Sequence, residues 1–442
     1  MKIAIFGTGY VGLVSGACFA EIGHEVMCVD VDERKIENLK KGIIPIYEFG
    51  LEEIVKNNYA HKRLLFTTDA KLGIEFGDII FNAVGTPPDK ENHNKADLQY
   101  VEAVARTFGK YINSYKILVN KSTVPVGTGK ICKNIIQEEI EKRKEKKEFD
   151  VVSNPEFLRE GTAIKDFMLP DRIVCGVETQ KAKEYMGNIY KPILRNYSSI
   201  VFTDIKSAEL IKYASNSFLA TKISFINEIA NFAEIVGANI EDISKGMGLD
   251  KRIGNRFLHA GIGYGGSCFP KDIKALIETG KDYDFDFKII KATEEVNEKQ
   301  KTLPIKKYQK YQKNIAGKNI AIWGLTFKPK TDDTREAPSI DIIKELLKEG
   351  VAKISCFDKE GANQMKNIFQ GEEHIFFFEE DMYEVLENAD VLFLLTEWDE
   401  FRIADFGKIK EKMIGNIIID GRNIWEKENI EKYGFIYEGI GK

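Results

Sequence analysis

The sequence predicts an α/β protein made of two Rossmann-like doubly wound domains joined by a long central helix, and three observations carry that expectation. Apolar strands alternate with amphipathic helices over residues 1–204. The alternation starts afresh at Lys318, in a segment set at 314–442. Between them, within a connector at 205–313, residues 205–236 run helically without a Gly or Pro. A chain of 442 residues exceeds what one apolar core supports, so this division is expected.

Taken in order, the alternating apolar run Lys2 to Phe6 is a strand and the stretch Leu13 to Ile22 a helix. The turn between them is Gly7-Thr8-Gly9-Tyr10-Val11-Gly12. In a strand–turn–helix unit Gly7 makes the tight turn, Gly9 lets a pyrophosphate approach the helix N-terminus, and Gly12 lets helix and strand pack closely. A second strand, Glu25 to Val29, ends at Asp30, where an acid hydrogen-bonds the adenosine ribose. The pattern predicts a dinucleotide, and Asp30 favours NAD over NADP, although Arg34 stands nearby.

Further strands are expected at Asp78 to Val84, Lys116 to Asn120, Phe149 to Ser153, Arg172 to Val177 and Ser199 to Phe202. The loops Gly85-Thr86-Pro87 and Ser122-Thr123-Val124-Pro125 follow two of them at the carboxyl edge, where open α/β sheets bind ligands; ordinary Pro-containing turns are the plainer reading. Asn154 to Thr162 follows a third and offers two carboxylates, Glu156 and Glu160. The charged run Glu141 to Glu148 reads as a solvated helix end.

The long helix carries Ile211, Ala214, Phe218, Ile226, Ile229 and Ala233 on an expected apolar face. Lys212 and Asn216, four apart, share another face, lining a cleft or simply the surface. Gly261 to Asp272 then places Cys268 at the end of a glycine-rich loop, with Pro270 suited to a first helical turn. Free backbone N–H groups and Lys271 there would favour the thiolate that a sulfur nucleophile needs; the alternative is a cysteine that merely packs. The other five cysteines, Cys18, Cys28, Cys132, Cys175 and Cys356, lie in apolar contexts without C-x-x-C spacing, so neither a disulfide framework nor a metal site is indicated. A second helical region, Phe287 to about Tyr311, is broken near Pro304.

The last segment offers strands at Asn319 to Trp323, Lys353 to Phe357, Asp390 to Leu395 and Asn416 to Ile419, with a helix at Ser339 to Lys348. Its opening turn, Gly324-Leu325-Thr326-Phe327-Lys328, lacks G-x-G-x-x-G, so a related nucleotide ligand is expected instead of a second dinucleotide. A net charge of −5 argues against nucleic acid, and no apolar run approaches the length of a bilayer span. A cytoplasmic protein is expected.

Seven segments in this order resemble the UDP-glucose/GDP-mannose dehydrogenase family over essentially the whole chain. They are Gly7 to Gly12, Ser122 to Pro125, Asn154 to Gly161, Glu209-Leu210-Ile211-Lys212 through Asn216, Gly265 to Asp272, Phe327-Lys328 through Asp333-Thr334-Arg335, and Asp420-Gly421-Arg422. Glu160-Gly161-Thr162 and Pro170-Asp171-Arg172 are more similar to the UDP-glucose branch, with GDP-mannose oxidation as the alternative.

The resemblance implies oxidation of the C6 alcohol of UDP-glucose to the carboxylate of UDP-glucuronate, using two NAD per turnover and passing through a thiohemiacetal and a thioester on Cys268. It implies a water near Asp272 and Thr123 as base, Lys212 and Asn216 at the oxyanion, and Glu160, or Glu156, in thioester hydrolysis. Cofactor contacts are implied at Gly7, Gly9, Tyr10, Val11, Gly12, Asp30, Lys35, Thr86, Thr123, Glu160, Lys271 and Arg335. Substrate contacts are implied at Glu156, Phe157, Leu158, Glu160, Lys212, Asn216, Arg256, Phe257, His259, Tyr264, Gly265, Cys268, Phe327, Lys328 and Arg422, and at Arg252 across a homodimer interface built on the central helix. His259 stands where some relatives carry lysine, which makes that contact weaker or pH-dependent. A non-catalytic NAD-sensing module remains the reading from another class; it has no use for Cys268, Lys212, Asn216 and Asp272 together.

Overall fold

The computed structural model describes residues 1–89, 95–194 and 199–442. The chain divides into two compact units, Met1–Ser215 with Lys274–Asp284, and Asn216–Ile273 with Phe285–Lys442.

The first unit holds an eight-stranded sheet: β1 (Lys2–Phe6), β2 (Glu25–Val29), β3 (Leu64–Thr67), β4 (Ile79–Asn82), β5 (Lys116–Asn120), β6 (Phe149–Ser153), β7 (Ile173–Gly176) and β8 (Ile200–Thr203). The order is β8-β7-β6-β5-β4-β1-β2-β3, so its first six strands follow the 3-2-1-4-5-6 pattern of a dinucleotide fold. Those six pair in parallel; β7 meets β6 antiparallel through Ser153 and Gly176. Both faces are covered, which is why the strands read as continuous apolar runs. Ile3 and Ile5 of β1 enter one apolar layer, with Leu13 and Phe19, while Ala4 and Phe6 enter the other, with Val101 and Phe108.

Helix α1 spans Tyr10–Glu21, three residues earlier than expected at its start. Gly9 is its N-cap, so Tyr10, Val11 and Gly12 form its first turn, not part of the preceding loop.

Helix α2, Ile205–Val236, is 32 residues long, about 48 Å at the α-helical rise. Ala208, Tyr213, Ala220, Ile226, Ala230 and Ala233 are buried along it. Phe218 departs from the expected apolar face: it is 65% exposed, as are Phe225 at 46% and Phe232 at 59%, which recur at seven-residue spacing. Helix α3, Phe269–Asp282, begins directly after Cys268. Helix α4, Lys288–Lys301, stops at Thr302, where a new helix, Leu303–Tyr311, begins with Pro304 in its first turn.

The second unit holds a six-stranded parallel sheet: β9 (Asn319–Trp323), β10 (Lys353–Phe357), β11 (Ile375–Phe378), β12 (Val391–Leu394), β13 (Ile417–Asp420) and β14 (Ile436–Glu438). Its order, β11-β10-β9-β12-β13-β14, repeats the 3-2-1-4-5-6 pattern. Among the described residues no helix is long and apolar enough to cross a membrane.

Candidate active site

In the first unit the glycine turn has the geometry a dinucleotide requires. Gly7 adopts φ +95° and its N–H donates to Val29 O at 2.8 Å. A Cβ on Gly12 would lie 1.9 Å from Gly7 O, so only hydrogen fits where α1 packs on the turn. A Cβ on Gly9 would meet nothing within 4 Å, which leaves the helix N-terminus open to a pyrophosphate. These residues fit NAD.

Asp30 stands at the end of β2 and accepts from Thr8 N at 2.8 Å, Thr8 Oγ1 at 2.6 Å and Asp32 N at 3.1 Å, with Lys35 Nζ at 3.5 Å. Burial raises its pKa, but the Thr8 and Asp32 hydrogen bonds and the Lys35 ammonium outweigh burial and hold the carboxyl below its ordinary value. It is therefore ionised at neutral pH and ready to accept from a ribose.

The loops after β4 and β5 are tied together. Thr86 Oγ1 donates to Thr123 O at 3.0 Å and Ser122 Oγ to Val84 O at 2.7 Å. Beyond β6, Asn154 is buried and accepts from the Tyr190 hydroxyl at 2.5 Å. Glu156 is buried too; it accepts from Leu158 N at 2.6 Å and pairs with Lys212 Nζ at 3.0 Å. Arg172 lies 3.5 Å from the centre of the Phe157 ring and Lys212 Nζ 5.3 Å from it. Thus Glu156, Phe157 and Lys212 form one cluster. Lys121, at the end of β5, is fully buried beside Asn154, and burial pushes its pKa down to about 8.

In the second unit the cysteine loop is held by buried amides. Asn227 Oδ1 accepts from Gly261 N at 2.9 Å, Asn297 brackets Tyr264 through both its N–H and C=O, and Gln300 donates to Gly261 O at 2.7 Å. Neither Asn297 nor Gln300 was singled out in the sequence, where no local signal marks them; both are buried on α4. Gly265 is pressed against the backbone, where a Cβ would lie 2.2 Å from Glu336 O, and Gly266, at φ +84°, abuts the Phe327 ring.

Cys268 is exposed, whereas the other five cysteines are buried. Its carbonyl accepts from Asp272 N at 2.8 Å, the first bond of α3, so the thiol sits at the positive end of that helix. Asp272 is 1% exposed; one carboxylate oxygen accepts from Asn216 Nδ2 at 2.6 Å and the other from Lys271 Nζ at 2.8 Å. Lys271 is thus paired with Asp272 beside the cysteine.

Arg422 is likewise engaged. Nε donates to Leu395 O at 2.8 Å, Nη1 to Gly263 O and Nη2 to Phe327 O at 3.4 Å, and Glu397 lies 3.3 Å away. It fastens the cysteine loop to Phe327. Arg335 pairs with Asp333 at 2.7 Å, and Lys328 lies 5.4 Å from the Phe327 ring. Tyr264 packs edge-on against Phe269 at 5.8 Å, and Phe257, at φ +65°, lies 6.3 Å from Phe269. Arg256 and His259 are exposed, and Arg252 projects into solvent, paired with Asp250 at 2.5 Å. Near Cys268 in this unit stand Asn216, Asp272, Tyr264, Phe327 and Arg422, while the Arg252 side chain is exposed.

Three models of the UDP-glucose/GDP-mannose dehydrogenase family match in series: the NAD binding domain over residues 1–194, the central domain over 206–299 and the UDP binding domain over 321–427. The UDP-glucose 6-dehydrogenase of Rhizobium meliloti (strain 1021) is 47% identical over all of both chains. UDP-glucose 6-dehydrogenase TuaD of Bacillus subtilis (strain 168) is also 47% identical, over 100% of this chain and 93% of its own. Among solved structures, a UDP-glucose dehydrogenase from Pyrobaculum islandicum superposes with a TM-score of 0.89 at 34% identity, covering 100% of this chain and 97% of that one.

Proposed function

Since the chain belongs to the UDP-glucose/GDP-mannose dehydrogenase family, we propose that it oxidises UDP-glucose to UDP-glucuronate by way of a thioester on Cys268. The observation that carries this reading is Cys268 itself: the one exposed sulfur among six, at a helix N-terminus, with Asp272 one turn on and bonded to Asn216. NAD bound at the Gly7–Gly12 turn supplies, twice per sugar, the acceptor for hydride from C6. A water held by Asp272 and Thr123 removes the C6 hydroxyl proton. The Cys268 thiolate adds to the aldehyde carbon, and the electron pair of the carbonyl moves to oxygen, where Lys212 and Asn216 stabilise it. Oxidation of that adduct leaves the thioester. Water, assisted by Glu160 or Glu156, adds to it, the C–S bond breaks, and the thiolate is restored.

The distance of 3.0 Å between Lys212 and Glu156 supports a lysine held in place for the oxyanion step. Residues 1–204 are assigned to NAD, 205–313 to the connector and dimer contact, and 314–442 to the sugar nucleotide. The exposed Phe218, Phe225 and Phe232 support a homodimer through α2; a Phe225→Asp variant is expected to elute as a monomer. Six free cysteines suit a reducing cytoplasm. Quantitation of NADH and UDP-glucuronate tests the reaction: two NADH per sugar are expected, and one NADH with free aldehyde would remove the thioester.

A further inference from the structure

The carboxylate of Glu48 bonds to both the glycine turn and the loop of Glu160. Glu48 lies in the loop before the helix Leu51–Ala60 and is only 8% exposed. One of its oxygens accepts from the Tyr10 hydroxyl and from Gly161 N at 2.8 Å, and the other from Ile164 N at 3.4 Å. Gly161 N also reaches the Tyr10 hydroxyl oxygen at 3.0 Å. Tyr10 is the first residue of α1, next to Gly9, while Gly161 follows Glu160 and turns the chain at φ +80°. Burial first, and then the bond to Glu48, raise the Tyr10 pKa, so its hydroxyl stays protonated and donates.

We propose that Glu48 is a positioning residue that clamps the Glu160 turn to the glycine turn, so that occupancy of the dinucleotide cradle and placement of the Glu160 carboxylate are one linked event. The proposal rests on the role given to Glu160 above. A ligand seated on the first turn of α1 restrains the backbone of Tyr10, and the Tyr10 hydroxyl passes that restraint to Glu48 and the Gly161 amide. The link needs a charged acceptor, because three donors converge on one carboxylate. Glutamine at 48 would replace one acceptor oxygen with a donor and set it against these groups.

Two variants test the clamp, Glu48→Gln and Tyr10→Phe, the second removing a single hydroxyl and leaving Glu48 both amide donors, so that a folding defect in the first does not end the test. Hydrogen exchange at Gly161 is followed with and without NAD, no sugar being present, and calorimetry checks that NAD still binds. In the native protein NAD is expected to slow exchange there; in the variants that slowing is lost even at the NAD concentration that calorimetry shows to saturate them. With UDP-glucose, both variants are expected to give a rapid NADH burst and then a steady rate lowered roughly 10- to 100-fold, as a small misplacement of a catalytic group does, with KM for the sugar nearly unchanged. Equal NAD-dependent slowing in the native protein and the variants would overturn the proposal, as would a slow rate with no burst in either variant when Glu160→Gln does give one. If Glu160→Gln itself shows no burst while the exchange linkage holds, the assignment of Glu160 fails and the clamp stands.

Discussion

The two sheets repeat one strand order, yet their opening turns are built for opposite ends. At Gly7 the turn is open: a Cβ on Gly9 would meet nothing within 4 Å, and the Asp30 carboxylate keeps an exposed edge, 11% of its side chain. At Gly324 the same conformation recurs, with φ +89° and its N–H donating to Phe357 O at 2.9 Å, but the chain's own side chains fill the space. A Cβ there would lie 2.5 Å from Thr396 N. Asp358, the counterpart of Asp30, is fully buried and accepts from Leu325 N, Thr326 N, Thr326 Oγ1, Trp398 Nε1, Glu360 N and Gly361 N. The same topology thus yields an open cradle where the acid keeps an exposed edge and a structural knot where the acid is wholly buried.

The largest effect that would sharpen this contrast is on folding. Asp358→Ala strands several buried donors at about 1–3 kcal/mol each, so the melting temperature is expected to fall by many degrees while the surviving protein binds NAD normally. Weaker NAD binding with an unchanged melt would break the contrast. Gly12→Ala comes next: overpacking at about 1–3 kcal/mol should lower stability and abolish NAD binding together, whereas Gly9→Ala, facing open space, should weaken NAD binding with the melt unchanged. Asp30→Ala should cost about 1.5–3 kcal/mol of NAD affinity and relax discrimination against NADP, both read by calorimetry.

The smallest effect is in pH. The Asp30 carboxyl is held below its ordinary value of 3.8, so its contribution is present above that pH and lost as pH falls below it. Asp30→Asn should therefore flatten the low-pH arm of the stability curve slightly, because the group is only half buried; a steeper arm would contradict the sign.

The central strands were legible because both their faces are buried: β1, β2, β9 and β10 each bury four residues in succession. Among the strands that were not foreseen, β3, β11 and β14 lie at sheet edges. They are three or four residues long and bury one or two positions each, so each apolar stretch is too short to be told from a turn of helix. The site divides in the same way. Gly7 to Gly12, Asp30 and Cys268 announce themselves because local backbone chemistry demands those residue types. Glu48, Asn227, Asn297 and Gln300 act over long separations in sequence, and nothing local distinguishes a buried carboxylate or amide from a solvated one. The engagement of Lys271 and Arg422 was equally hidden, since their partners are a neighbouring carboxylate and distant carbonyls.

The burial of five cysteines beside one exposed sulfur has a consequence outside turnover. A thiol-directed electrophile arriving from solvent finds a single exposed cysteine, and it is the one assigned to the chemistry. Alkylation should accordingly be stoichiometric at one thiol per chain, and oxidative injury should silence the protein while its cores and sheets stay intact.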